Sequence, residues 1–311
     1  MSVVKVAEDF MRRHLVTLSP ETNVLKGVSR LLRDNISGAP VVDTDDNFLG
    51  VFSEKCSMNA LTNSVEAASE AGLHVGRVRE FMTCNLVTLS PERDVFEAID
   101  HILSHRISGA PVVDDEGNYQ GIFSEKTAMR VLVSAIHDRL PGSNVASYMN
   151  LDRNRIIDDE DCLLEVAHKF QQTPYRRLPV LHGSKLAGQV SRRDVLRAEQ
   201  RVAAEVADRG NRENADPRLA KAARTRKVSQ FMDQSALTTR ANTDLLSIAQ
   251  MFLNSPYRRL PVVENGKLIG QVSRRDVLGE AADTLRPAPD RLGAETLYLS
   301  SFAESALESI R

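Results

Sequence analysis

Fourfold internal repetition constrains this chain more than any other feature. Ile36-Ser-Gly-Ala-Pro-Val-Val-Asp43 returns as Ile107-Ser-Gly-Ala-Pro-Val-Val-Asp114, and Tyr175-Arg-Arg-Leu-Pro-Val180 returns as Tyr257-Arg-Arg-Leu-Pro-Val262. A second signature follows each: Gly50-Val-Phe-Ser53, Gly121-Ile-Phe-Ser124, Gly188-Gln-Val-Ser191 and Gly270-Gln-Val-Ser273. Such a chain folds as copies of one small unit, and the unit has to be read before anything else.

The second copy shows the unit best. Leu86-Val-Thr-Leu-Ser-Pro91 is extended, and Val95, Ala98, Ile99, Ile102 and Leu103 then recur at the spacing of one buried helix face. Ala110–Asp114 reads as an apolar strand, Asp115–Asn118 as a turn and Tyr119–Phe123 as the returning strand. Ser124 opens a last helix through Ala128, Val131 and Leu132. The unit is β-α-β-β-α, an α+β fold. A unit of about 55 to 60 residues buries too little surface to be stable alone, so pairing is expected. The repeats occupy residues 1–75, 76–140, 141–200 and 228–283, with a charged helical linker at 201–227 and an amphipathic tail at 284–311. The first repeat resembles the second and the third resembles the fourth, which predicts two modules, 1–140 and 141–283.

Composition narrows the function classes. Forty Lys and Arg against 42 Asp and Glu leave a net charge of −2, with no global field to attract nucleic acid or an anionic membrane. Residues 201–227 hold eight basic and four acidic side chains without interleaved aromatics, which reads as a solvated face. Three cysteines, Cys56, Cys84 and Cys162, lack disulfide or zinc spacing. The N-terminus has no apolar leader and no run approaches about 18 apolar residues, so a cytoplasmic protein is expected. In the tail, Leu299, Phe302, Ala303, Ala306 and Ile310 form a stripe expected to dock on the protein itself.

The chemistry concentrates at Ser191-Arg-Arg-Asp194 and Ser273-Arg-Arg-Asp276, where a strand hands over to a helix. A Ser at N-cap and an acid three residues on can close a capping box with no ligand. Repeats 1 and 2 have Cys56 and Thr127 at the acid position, so capping alone does not require it. A helix N-terminus also favours an anion. Ser191 or Ser273 can donate to phosphate, Arg192, Arg193, Arg274 and Arg275 add charge, and Asp194 or Asp276 accepts from two vicinal hydroxyls. Arg176-Arg177 and Arg258-Arg259 precede the apolar strand in repeats 3 and 4 only. One of each pair is expected to face a cleft. Glu54 and Glu125 stand where an anion would sit in repeats 1 and 2, which are therefore expected to be structural or adapted to some other ligand.

The order of elements, the Leu-Pro-Val strand and the Gly-x-x-Ser-x-x-Asp signature resemble CBS domains. The resemblance implies two pseudo-twofold Bateman modules whose clefts hold AMP, ADP, ATP or another adenosyl ligand as a regulatory ligand, with no covalent cofactor. It gives ribose to Asp194 and Asp276, and phosphate to Ser191, Ser273, Arg176, Arg177, Arg258 and Arg259. Adenine falls to the strand edges at Ile156 and Thr238. The basic pair is similar to that of the γ subunits of AMP-activated kinase. His101 and His105 have helical metal spacing without a third ligand, and no nucleophile elbow, P-loop or Gly-x-Gly-x-x-Gly is present, so no catalysis is expected. The expectation is a regulatory protein that binds adenine nucleotides in its second module and is read by a second copy or an effector protein. The alternative is a scaffold with no ligand. Arginines paired with acids would favour the scaffold, and arginines converging on open space would favour a ligand.

Overall fold

The computed structural model describes residues 5–70, 72–136, 143–210 and 226–285; the tail stripe and most of the 201–227 linker lie outside them. Each repeat is built as its sequence implies. After a single turn, α1 (Ala7–Phe10), repeat 1 contributes α2 (Val24–Arg33), β1 (Gly38–Val42), β2 (Phe48–Ser53) and α3 (Glu54–Glu70). Repeat 2 gives α4 (Val95–Ser104), β3 (Gly109–Val113), β4 (Tyr119–Ser124) and α5 (Glu125–Ile136). Repeat 3 gives β5 (Ile157–Asp158), α6 (Leu163–Gln172), β6 (Arg177–His182), β7 (Lys185–Ser191) and α7 (Arg192–Gly210). Repeat 4 gives α8 (Leu245–Leu253), β8 (Arg259–Glu264), β9 (Lys267–Ser273) and α9 (Arg274–Leu285). Helix α7 runs without a break through the boundary drawn at residue 200.

The hairpins β1/β2, β3/β4, β6/β7 and β8/β9 are antiparallel, and each shifts register at the same place, between the fourth and fifth residues of its first strand. The extended segment that opens each repeat adds a parallel edge: Leu18 to Val41, Leu89 to Val112, β5 to β6 and Thr239 to Val262. Asn23, Asp94 and Asp244 cap α2, α4 and α8 through side-chain oxygens that accept from first-turn amides.

Two paired modules result, with partners other than those expected. The segment before each repeat crosses onto the sheet of another: Thr83 bridges Gln189 and Asn150 bridges Ile122, while Arg12 bridges Gln271 and Asp233 bridges Val51. The hairpin tips join the same way, Asn118 to Lys185 and Asn47 to Lys267. Sheets therefore pair repeat 2 with repeat 3 and repeat 1 with repeat 4. The helices do the opposite. One core joins repeats 1 and 3 through Val65, Phe170, Leu196 and their neighbours, and the other joins repeats 2 and 4 through Ile99, Met129, Phe252 and Leu278. Each repeat has two apolar surfaces, one on the sheet and one on the helices, and it spends them on different partners. Sequence similarity between repeats records neither choice.

Close backbone approach makes the cross-sheet seam sensitive. Gly50 has φ +154°, and a Cβ there would lie 2.6 Å from the Asp233 carbonyl oxygen. Gly50→Ala should cost about 1–3 kcal/mol, read from urea unfolding. Gly279→Ala, inside α9 with nothing within 4 Å, should instead be neutral or gain up to about 1 kcal/mol.

Candidate functional site

All four strand-to-helix junctions place serine at the N-cap. Ser53, Ser124, Ser191 and Ser273 accept through Oγ from the amide three residues on, at 3.3–3.4 Å. In repeats 3 and 4 the box closes: Asp194 Oδ2 accepts from the Ser191 amide (2.9 Å) and hydroxyl (2.6 Å), and Asp276 Oδ2 does the same with Ser273 (2.8 and 2.6 Å). Each aspartate keeps Oδ1 for other partners. Arg12 lies 3.3 Å from Asp276 Oδ1, and Arg197 lies 3.9 Å from Asp194 Oδ1.

The arginines divide into three groups. Arg176 and Arg193 pair with Glu54 at 2.6 and 3.2 Å, and Arg258 and Arg275 pair with Glu125 at 2.7 and 3.5 Å. Arg177 and Arg259 donate to Ser108 Oγ and Ser37 Oγ. Burial, with the charges of Arg258 and Arg176 beside them, pulls both of these guanidinium groups down to about 10. Arg192 and Arg274 are buried and donate to the carbonyls of Phe170 and Thr173, and of Phe252 and Ser255. They close the carbonyl ends of α6 and α8 and stack on Phe170 and Phe252, each 5.8 Å from the ring centroid. Neither lines a cavity with Asp194 or Asp276, so the phosphate role expected of them is not supported by position.

Two cavities gather what remains. The first, about 330 Å³, brings Ser191, Asp194, Arg177 and Arg193 to the strand edge Asn85–Val87 and to Ile107 of repeat 2. The second, about 190 Å³, brings Ser273, Asp276, Arg259 and Arg275 to His14–Val16 and Ile36 of repeat 1, with Glu125 and Arg258 on its wall. The adenine edges expected at Ile156 and Thr238 are absent from both. Ile156 instead packs against Tyr119, Ile122 and Leu181, and its carbonyl accepts from Lys169. The crossing of segments between repeats is the reason, because each aspartate faces the opening strand of its sheet partner and not of its own repeat.

The site thus contains residues the sequence reading left out: the edges Leu15–Val16 and Leu86–Val87, the serines Ser37 and Ser108, and Glu54 and Glu125 as counter-charges. Their signal lay in the first two repeats, whose Ser-Gly-Ala and Ser-Glu-Lys replace the Arg-Arg and Ser-Arg-Arg of the last two. The glutamates meet arginines across the helix interfaces, and the serines meet arginines across the sheet pairs. His101 and His105 stack with ring centroids 4.1 Å apart, and among the described residues no group of three His, Cys, Asp or Glu is placed to hold a metal. No described helix is long and apolar enough to cross a membrane.

A family model for the CBS domain matches residues 6–55, 78–134, 153–201 and 228–283. The uncharacterised protein MJ1225 of Methanocaldococcus jannaschii is 25% identical over 300 residues, covering 89% of this chain and 97% of its own. Its crystal structure gives a TM-score of 0.40 at 21% identity, over 89% of this chain and 99% of that one. CBSX2 of Arabidopsis thaliana, solved in complex with AMP, gives 0.37 at 26% identity, over 40% of this chain and 97% of that one. An inosine-5'-monophosphate dehydrogenase of Halobacterium salinarum is 31% identical over 121 residues, 38% of this chain but 22% of the enzyme, so the likeness does not extend to most of that protein. The four segments matched by the family model span more than half of the sequence, and the chain belongs to the CBS-domain family.

Proposed function

We propose that the chain is a non-catalytic regulatory protein that binds an adenine nucleotide, AMP, ADP or ATP, in the clefts at Asp194 and Asp276. One observation carries the reading: the same constellation occurs twice. An aspartate whose Oδ1 lies outside the capping box, a helix-capping serine, two arginines and an apolar strand edge from the partner repeat line one cavity each time. Ribose hydroxyls donate to the aspartate. Phosphate accepts from the serine and from Arg177 and Arg193, or from Arg259 and Arg275. Adenine lies against Leu86 and Val87, or Leu15 and Val16.

The ion pairs suggest how binding would be felt elsewhere. Glu54 belongs to repeat 1 and Arg176 and Arg193 to repeat 3; Glu125 belongs to repeat 2 and Arg258 and Arg275 to repeat 4. Each pair crosses from one module to the other. A phosphate competes with the glutamate for the same arginines, so the ligand acts on the contact between modules in proportion to its differential affinity. A second copy or an effector protein would read the change.

The scaffold reading is favoured by a specific observation too: Arg176, Arg193, Arg258 and Arg275 are paired with acids, as caps without a ligand would leave them. The acids, however, are not the capping aspartates, and four arginines share two glutamates. Calorimetric titration of AMP, ADP and ATP separates the readings. Binding should weaken by at least tenfold in Asp194→Asn, Asp276→Asn or both, with thermal midpoints unchanged. No heat from the intact protein at millimolar ligand sinks the nucleotide reading in favour of the scaffold.

A further inference from the structure

The two aspartate clefts are not the only cavities among the described residues, and both are smaller than a further one. Between repeats 2 and 3 lies a third, about 560 Å³, built on Ser124 and Thr127, the repeat that lacks the aspartate. Four of its cations are already placed: Arg176 and Arg258 on glutamates, Arg177 on Ser108 and Arg274 on backbone carbonyls. Three more line the cavity: Lys126, whose Nζ is 3.4 Å from the Ser255 carbonyl oxygen, Arg130 and Arg155; the only carboxylate among the lining residues is Glu125.

Two substitutions separate this cavity from the aspartate clefts, and both act in the same direction. Thr127 replaces the acid that would repel a phosphate. Arg155 replaces an apolar edge: it stands two residues before Ile157 at the parallel bridge, where Val16 stands before Leu18 and Val87 before Leu89. The Arg155 guanidinium lies 4.5 Å above the centre of the Tyr175 ring, which fixes its plane, and the Tyr175 hydroxyl is tied to Asp152. Burial holds Lys126, Arg155 and Arg274 below their ordinary values, with neighbouring arginines adding to it at Lys126 and Arg274, and with Asp152 opposing it at Arg155 and Glu125 opposing it at Arg274.

We propose that the cavity at Ser124 and Thr127 is a separate site for a linear oligophosphate, gripped by Lys126, Arg130 and Arg155 without any ribose clamp. Asp194 and Asp276 take no part in it, so it stands or falls apart from the nucleotide reading. The oligophosphate could be free or the tail of a nucleoside triphosphate, since both offer the same chain of anionic oxygens.

The test is titration of inorganic tripolyphosphate at fixed ionic strength into the intact protein, Arg155→Val, Lys126→Ala/Arg130→Ala and Asp194→Asn/Asp276→Asn. The site predicts saturable binding that falls at least tenfold in Arg155→Val and in the Lys126/Arg130 double variant, and stays within twofold in the aspartate double variant. Lys126 and Arg130 are exposed, so that variant reports even where Arg155→Val fails to fold. ATP titrated into the aspartate double variant assigns the source: tighter binding than tripolyphosphate means a nucleotide tail, equal or weaker binding a free oligophosphate. Absence of tripolyphosphate binding, insensitivity to Lys126 and Arg130, or loss in the aspartate variant overturns the proposal.

Discussion

Replacing Glu125 by alanine should remove about 3–5 kcal/mol of stability, the cost of leaving a buried charge without its partner. The Glu125 side chain is 3% exposed and accepts from Arg258 Nε and Nη2 at 3.1 and 2.7 Å, with Arg275 at 3.5 Å. Without it, Arg258 faces Arg176, Arg177 and Arg259 with Glu54 as the remaining acid, and these part-buried guanidinium groups are screened by water less than surface charges are. Glu125→Gln keeps the volume and one acceptor, and should lose less. The double variant Glu125→Ala/Arg258→Met should recover most of the loss, because an apolar pair removes the desolvation cost on both sides. Urea midpoints of the parent, Glu125→Ala, Arg258→Met and the double variant give the coupling. If the alanine variant loses under about 1 kcal/mol, the pair behaves as a solvent-screened surface bridge and the central charge cluster has no such weight. On the nucleotide reading a further result follows: AMP should raise the midpoint of Glu125→Ala more than that of the parent, since phosphate then meets Arg275 without a competitor.

Glu125 also marks the limit of what the sequence made legible. Repetition located the hairpin and the two longer helices of each repeat, though not the short turn Ala7–Phe10, because the Leu-Pro-Val and Gly-x-x-Ser signatures sit at the hairpin and the helix cap, both local structures set by a few adjacent residues. Asp194 and Asp276 were legible for the same reason. The pairing of repeats was not. Similarity of repeat 1 to repeat 2 is a matter of shared residues, whereas Thr83 on Gln189 and Arg12 on Gln271 are contacts of chain segments about a hundred residues or more apart. The misplaced adenine edges follow from this, whereas Arg192 and Arg274 turn to helix-end carbonyls within their own repeats. Ile156 and Thr238 were assigned within their own repeats, while the crossing puts Val87 and Val16 beside the aspartates. Glu54 and Glu125 read as charges hostile to an anion in repeats 1 and 2. In the folded chain they are held by arginines of repeats 3 and 4, which leaves the Thr127 cavity positive.

The two helix interfaces between modules differ in a way that should show in pH. Where repeats 2 and 4 place Val133, Leu253 and Ala281, repeats 1 and 3 place Thr62, Gln171 and Glu199. Glu199 is fully buried and lies 2.9 Å from Thr62 Oγ1, which is also 2.8 Å from the Met58 carbonyl and accepts from Gln171 Nε2 at 2.7 Å. One hydroxyl proton cannot serve two acceptors, so a protonated Glu199 that donates to Thr62 satisfies the group and a carboxylate does not. Burial accordingly pushes Glu199 up to about 8. The sign follows from linkage: an acid raised by folding has its full stability below the unfolded value near 4.5 and loses it as pH rises toward 8. The slope in that window is about 1.4 kcal/mol per pH unit, and above it the loss levels off. Glu199→Gln should match the parent at pH 4 and exceed it at pH 9, by about 2–4 °C for each kcal/mol in a chain of this size. His168 and Glu66 bridge the same interface at 3.0 Å on its half-exposed rim, and their titration is common to both proteins and cancels in the difference. Melting curves from pH 4 to 9 that stay parallel would mean that Glu199 ionises freely, and that the interface between repeats 1 and 3 opens to water at no cost.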